Sequence, residues 1–512
     1  MNSKVYSATT IGVDSHIVEV EADLSLGLIK FYIVGLPDKA INESKERIRA
    51  ALKNSGIRVP QRFITVNLAP ADLKKEGILF DLPITVAILR AASLLDLSSE
   101  FIEETIFLGE LSLDGSIRPV RGVLPIAHGA LKMKKKRLIA PYENAAEASL
   151  IEGIEVIGVK NLTQLVSYLR GEVKIEKTKS NFENFINSNN EFNIDFSQVK
   201  GQWQAKRALQ IAAAGYHNIL FIGPPGSGKT MLAKRLTTIL PNLSFDEAIE
   251  TTKIYSISGE LSKTSLIANR PFRSPHHTIS QAGLVGGGSM PIPGEVSLAH
   301  NGVLFLDELT EFKRTTLEVL RQPLESKKVL ISRVNMSVEY PASFLLVAAL
   351  NPCPCGFYGD KTRECKCSKK QIDQYLGKLS GPLLDRIDLH VNVPAVKYDE
   401  VKSKDNLRKE KSSKEMFSEI QKAVIAQKKR LGSLRNAAMT PDQVEKHCVL
   451  DDDAEQTLKR AFEVLRLSMR GYHKILKIAR TIADLAGVEN ISKSHIQEAI
   501  MYRSLDQIFN KG

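Results

Sequence analysis

Asn218-Ile-Leu-Phe-Ile-Gly-Pro-Pro-Gly-Ser-Gly-Lys-Thr230 is the stretch whose reading decides the fold. Residues 218–223 are an apolar strand, and 223–230 complete the pattern G-x-x-x-x-G-K-T, which requires a strand before it and a helix after it. The glycines let backbone N–H groups close around phosphate oxygens, and the start of the next helix adds the positive end of its dipole. Gly223, Pro224, Pro225, Gly226, Ser227 and Gly228 are therefore assigned to a loop around the phosphates of a nucleotide. Lys229 is assigned to the β and γ phosphates, and Thr230 to a Mg²⁺ ion. A chance Gly-rich turn is the alternative, and the strand–loop–helix context argues against it.

Working outward, two more continuous apolar runs follow, Val303-Leu-Phe-Leu-Asp-Glu308 and Phe344-Leu-Leu-Val-Ala-Ala-Leu-Asn351. Runs of this kind suit a parallel sheet covered on both faces. The first ends in two carboxylates. Successive strand residues point to opposite faces, so the pair can divide its work, Asp307 in the Mg²⁺ shell and Glu308 polarising the attacking water.

Residues 1–172 alternate strand-like and helix-like stretches, with strands expected at 16–22, 28–34, 63–68 and 106–109 and helices at 40–54 and 82–95. Residues 173–195, rich in Asn, Lys and Glu, have the composition of an exposed linker. An ATPase domain is expected over 196–396 and a helical region over 397–512. In that last region 397–415 is a charged connector, and helices are expected near 414–431, 451–469, 472–486 and 492–503. Asp451 to Asp453 and Ser492 are candidate N-caps there, and Gly487 a candidate stop.

Composition sets outer limits. With 512 residues the chain exceeds what one core usually organises. No apolar run approaches the roughly 20 residues of a membrane span, and the N-terminus lacks the apolar stretch of a signal peptide. A cytoplasmic protein is expected. The net charge of +12 leans toward a polyanionic partner, a soft signal shared by many basic proteins. Four of the five cysteines, Cys353, Cys355, Cys365 and Cys367, fall close together, which argues against a secreted disulfide scaffold.

The set GPPGSGKT, GEVSLAHNGVLFLDE, VAALNPCPCG, SGPLLDRIDLHV and SMRGYHKILKIARTIADLAG resembles the magnesium-chelatase-like AAA+ ATPases. More narrowly, it resembles the YifB/ComM group, which joins a Lon-protease-like N-terminal domain (a ribosomal S5 domain 2-like α+β fold) to a chelatase-type AAA+ module. That resemblance implies an α/β fold class: the α+β domain, a central P-loop domain with a parallel sheet, and a C-terminal helical lid. It implies ATP and Mg²⁺ as cofactors and a homo-oligomer, a hexameric ring. It also implies that Asn351 is the sensor-1 residue, Arg386 an arginine finger reaching a neighbour's ATP, and Arg470 the sensor-2 arginine of the lid. Positive charge supplied in trans makes hydrolysis depend on assembly.

Weaker patterns stand beside these. The spacing C-x-C, nine residues, C-x-C offers four thiolates for a tetrahedral zinc, and a metal-free reduced loop is the alternative. Residues 270–295 resemble the helix-2 insertion of the clade. Residues 327–341 read as a hairpin whose Lys327, Lys328 and Arg333 either meet a phosphate backbone or are simply solvated. His276 and His277 have no carboxylate or thiol nearby in sequence and are assigned a structural role. In the Lon-like region, 74–83 holds no serine and the counterpart of the catalytic lysine is Leu124, so no Ser–Lys dyad and no peptidase activity are expected. The run 132–136 reads as a solvated turn.

Three functions compete at this point. One is a ring motor that hydrolyses ATP to move on DNA and drive branch migration in recombination of incoming DNA. Another is a chelatase-like remodeller of a partner protein, and the third is an ATP-dependent protease. Basic charge and the fused N-terminal domain favour the first. No base-reading module is present, so DNA contact is expected to be backbone-led.

Overall fold

The computed structural model describes residues 2–58, 60–71, 73, 75, 77–179, 193–261, 266–288, 291–333, 336–360, 363–396, 410–465 and 467–503. It divides into two units, Met1–Asn189 with Phe245–Ala268, and Asn190–Ser244 with Asn269–Gly512.

The first unit is built on β1 (Asn2–Ile11), β2 (Asp14–Ser25), β3 (Phe31–Val34), β4 (Phe63–Ala69) and β5 (Thr105–Phe107). A short hairpin, β6 (Glu110–Leu111) and β7 (Ile117–Arg118), follows, then β8 (Arg137–Pro141) and β9 (Glu155–Val159). Seven of these form one mixed sheet in the order β3-β4-β2-β1-β5-β8-β9. In β2 the alternation of Val18, Val20, Ala22 and Leu24 with polar residues puts one face in the core, as a period of two dictates. Gly12, at φ 59, makes the tight turn that sends β1 back as β2 in register Val5↔Val20. The sequence reading does not anticipate β1, whose mixed polar composition hides its pairing.

Helix Asp81–Ala91 is apolar nearly all round and is correspondingly buried on nearly every face. Its one carboxylate, Asp81, is fully buried and satisfied by Ser44, by Arg47 Nε at 2.7 Å and by the Leu111 N–H at 3.1 Å. Leu124 is buried in helix Val123–Lys132 and donates its N–H to Glu147 at 3.1 Å. Residues 74 and 76, within the stretch read for a missing serine, lie outside the described residues, and Lys75 between them is buried and donates to the Pro70 carbonyl.

A division at the linker alone does not describe the chain. Helix Phe245–Ser258, inside the segment read as ATPase, packs in the first unit on helix Val123–Lys132. Ser256 donates to Glu147 Oε1, and Lys253 Nζ lies 2.8 Å from His128 Nδ1.

The second unit carries β10 (Ile219–Ile222), β11 (Phe272–Arg273), β12 (Gly286–Gly287), β13 (Ile292–Pro293), β14 (Val303–Leu306), β15 (Lys328–Arg333), β16 (Met336–Pro341), β17 (Leu345–Leu350) and β18 (Leu389–Asn392). Five of them make an all-parallel sheet, β11-β14-β17-β10-β18. The three apolar runs read from sequence are its central strands, buried on both faces. Helices Ser413–Leu431, Pro441–His447, Asp452–Leu465, Met469–Ala486 and Lys493–Met501 follow, and most of their buried residues share the sheet's core. The expected caps are present: Asp451 accepts from Ala454 N–H at 2.7 Å, Ser492 makes a capping box with His495, and Gly487 closes its helix at φ 72. No helix among the described residues is long and apolar enough to cross a membrane.

Candidate ATP site

The site lies at the C-terminal ends of β10, β14 and β17, where an open parallel sheet places its ligands. Gly223 follows β10, and a Cβ there would strike the Val393 backbone, so only glycine lets the chain leave the sheet at this angle. Gly226 and Gly228 take φ 76 and 89, which turns the loop back onto its own helix, Lys229–Arg235. Gln202, itself left-handed at φ 57, donates its amide to Ser227 O at 3.2 Å and Pro394 O at 2.6 Å. It bolts the loop to the chain beyond β18, a role the sequence reading missed.

Lys229 Nζ donates to Gly223 O at 2.7 Å, Pro224 O at 2.9 Å and Asn351 Oδ1 at 3.2 Å. Burial pushes the Lys229 ammonium down, with Asp307 and then Glu308 opposing. Thr230 Oγ1 donates to Asp307 Oδ2 at 2.6 Å. Five residues read separately from sequence, Lys229, Thr230, Asp307, Glu308 and Asn351, thus meet in one place.

The donor set fits a magnesium nucleotide. Ser227 Oγ is buried without a partner inside the loop, and a Cβ on Gly226 would meet nothing within 4 Å. A glycine loop with open space above it, beside one lysine, suits a phosphate chain. Thr230 and Asp307 are the residues that would hold Mg²⁺, which when bound neutralises developing charge on the phosphates. Lys229 would meet a phosphate by exchanging its bonds to the loop carbonyls.

Glu308 leaves the strand at φ 50, exposed to solvent, and its N–H donates to Asp307 Oδ1 at 2.9 Å. One imidazole faces it: His277 Nδ1 is 3.6 Å from Glu308 Oε2. His277, assigned a structural role for want of a carboxylate nearby in sequence, thus has a carboxylate nearby in space.

Arg386 sits in the turn between helix Gly381–Leu384 and β18, paired with Glu325 of the same chain. Its backbone is fixed by Asn218, whose side chain donates to Arg386 O at 3.0 Å and accepts from Leu346 N–H at 2.9 Å. Lys474, on helix Met469–Ala486, donates to Ile387 O at 3.0 Å and lies 3.4 Å from Asp388. Burial works against the Asp388 carboxylate, but Lys474, His217 and Arg503 hold it well below the usual range. Arg470 is exposed in the first turn of that same helix.

The hairpin at 327–341 exists as β15 and β16. Lys327 is partly buried at the end of helix Arg321–Ser326, and Lys328 is paired with Glu339 at 2.7 Å. The side chain of Arg333 lies outside the described residues. In the insertion at 270–295, Gly286 allows β12 to approach β13, since a Cβ would strike the Ile292 carbonyl. The four-cysteine loop brings its Sγ atoms within 4.8 Å of one another and is able to hold a metal.

Family profiles cover most of the chain. One described as magnesium chelatase, subunit ChlI, matches residues 195–401, one described as subunit ChlI of Mg-chelatase matches 20–144, and one for the ChlI C-terminal part matches 410–503. Competence protein ComM of Haemophilus influenzae is 44% identical over 509 residues, 99% of this chain and 98% of its own. Protein YifB of Escherichia coli is 41% identical over 507 residues, 99% and 98%. The magnesium-chelatase 38 kDa subunit of Cereibacter sphaeroides is 24% identical over 323 residues, 59% of this chain and 88% of its own. Carried by matches that span both units and include the whole phosphate site, the conclusion is that this chain belongs to the magnesium-chelatase-like AAA+ ATPases, in the group of ComM and YifB.

Proposed function

We propose that the protein is a cytoplasmic ring motor, a hexamer, that couples ATP hydrolysis to movement along DNA and to branch migration when incoming DNA is recombined. The observation that carries this reading is the end-to-end match to a competence protein, set against a chelatase subunit match that covers 59% of the chain. The meeting of Lys229, Thr230, Asp307 and Asn351 supports the ATPase part, with Glu308 as the group that polarises water. Arg386 acts on a neighbour's nucleotide and Arg470 on the chain's own, each supplying charge where the phosphates react. The boundaries 1–172, 173–195, 196–396 and 397–512 remain the functional division, with residues 245–268 lent to the first part. The net charge of +12 supports a polyanionic track. A zinc in the four-cysteine loop completes the cofactor set.

The test is the ATP hydrolysis rate of the full chain with and without single-stranded and forked DNA. Stimulation that fades as salt rises supports backbone-led DNA contact. A rate indifferent to both DNAs overturns the motor reading and favours a protein client.

A further inference from the structure

The loop between β17 and helix Lys369–Leu376 is a large feature that the ATP site itself leaves unused. Across its described residues, 351–360 and 363–368, it contains no helix or strand. A loop of that length without secondary structure has little to hold its shape except its own side chains. All four of its cysteines are free thiols. Cys353 is fully buried, and its Sγ lies 3.3 Å from that of Cys355 and 3.6 Å from that of Cys365, with Cys355 and Cys365 also 3.6 Å apart. Four thiolates around one tetrahedral ion at about 2.3 Å stand about 3.8 Å from each other, so these three need to open by only tenths of an ångström, and the Cys367 Sγ lies within 4.8 Å of them. The Tyr358 N–H already points at Cys353 Sγ, 3.3 Å away, as a supporting donor to a metal-bound thiolate.

The same loop presses on the phosphate loop. Gly356 takes φ 84, and a Cβ there would overlap the Pro225 ring, with Cγ only 2.9 Å away. Two residues before Cys353, Asn351 accepts from Lys229. The cysteine loop therefore reaches the nucleotide site at two places, the Pro225 ring and the Lys229 ammonium.

We propose that Cys353, Cys355, Cys365 and Cys367 hold one zinc ion, and that the zinc-closed loop is the wall that fixes the phosphate loop through the Gly356–Pro225 contact. Nucleotide affinity then depends on the metal, although the metal touches no nucleotide. Binding the ion displaces the thiol protons and replaces a crowd of sulfurs with a closed knot. Without it, the segment after Asn351 loses its fixed shape, and Pro225 and Asn351 lose their backing together. This deepens the ATP-site reading and rests on it.

The experiment uses the full chain purified under reducing conditions without chelator. Metal analysis should find one zinc per chain, and replacement by Co²⁺ should give the visible spectrum of tetrahedral cobalt thiolate. Stripping the zinc should weaken binding of a fluorescent ATP analogue about tenfold or more, the order seen when a supporting contact to a functional group is lost. Adding Zn²⁺ back should restore it. Gly356→Ala should keep the zinc yet weaken the nucleotide, because its Cβ displaces Pro225. A metal-free protein that also fails to take up Co²⁺ overturns the site. A zinc protein whose nucleotide affinity survives both stripping and Gly356→Ala overturns the wall. Zinc-replete Lys229→Ala is the separate control, since unchanged nucleotide affinity there would mean that the ATP-site reading itself has failed.

Discussion

His277 presents Nδ1 to the Glu308 carboxylate from the turn that follows β11, 3.6 Å from Oε2. The ring also meets Phe312, edge-on at 6.4 Å between centroids, and His276 at 4.0 Å. Glu308 is exposed and leaves its strand in a left-handed turn, so an imidazole beside it restricts where its carboxylate points. His277→Ala is expected to leave nucleotide affinity unchanged and to slow turnover about tenfold, a fraction of the 10²-fold that a 1 Å misplacement can cost. Single-turnover hydrolysis beside a binding titration reads both. An unchanged rate would reduce His277 to a packing residue.

Lys229→Ala and Glu308→Gln should fail in different ways. The first removes the one ammonium that the loop holds ready, so ATP binding itself should collapse. The second keeps the amide in place of the carboxylate and leaves Thr230 and Asp307 paired at 2.6 Å, so ATP should bind and stay. Hydrolysis should drop by about 10² to 10⁴, the range of a lost general base. Equilibrium binding and product release measured on both variants separate the two roles.

Arg386 is expected to matter for hydrolysis and not for binding. Arg386→Ala should hold nucleotide nearly as the parent does while the rate falls about 10³-fold or more, as for other arginine fingers. Mixing Arg386→Ala with Lys229→Ala subunits should return part of the activity, because some interfaces then join an intact loop to an intact finger. Rings that exchange subunits freely and regain nothing would falsify the assignment in trans. The pair with Glu325 gives a companion test: Glu325→Gln should release the guanidinium and raise the rate of the assembled protein, read in the same assay.

The ATP site was legible because phosphate binding uses consecutive residues. Gly223 to Thr230 carry their own geometry, and the apolar runs that deliver Asp307, Glu308 and Asn351 declare their burial by composition. Contacts between segments distant in sequence were not legible. Glu325 meets Arg386 across 61 residues, and no local pattern announces it. The approach of His277 to Glu308 was hidden for the same reason, since the two lie 31 residues apart in sequence. Helix Phe245–Ser258 shows the limit most plainly: Ile249 and Tyr255 reveal that a face is buried, but not which unit buries it.

The first unit should weaken in mild acid through His128. Burial first, then the ammonium groups of Lys253 and Lys132, push this imidazole down to about 4, with Asp14 opposing. In the unfolded chain it titrates near the usual value of about 6.5, so the unfolded state takes the proton first. Stability from the neutral ring is therefore complete above about pH 6.5 and is lost as pH falls toward 4. The ring is partly solvated, so screening holds the loss to about 1 kcal/mol. Hydrogen exchange across helix Phe245–Ser258 should speed up over that interval in the parent and respond less in His128→Gln.

Synthesis runs from one end of the chain to the other, and the first unit is not contiguous along it. Residues 1–189 emerge long before 245–268, which complete the unit. Until then Glu147 is without the Ser256 hydroxyl that bonds it, and His128 without Lys253. A nascent N-terminal unit is therefore an unfinished body that must wait for the phosphate-loop helix, Lys229–Arg235, to be made before it can close. Folding of the two units is interleaved in time, and a ribosome stalled between residues 190 and 244 would hold a first unit that is open to proteases.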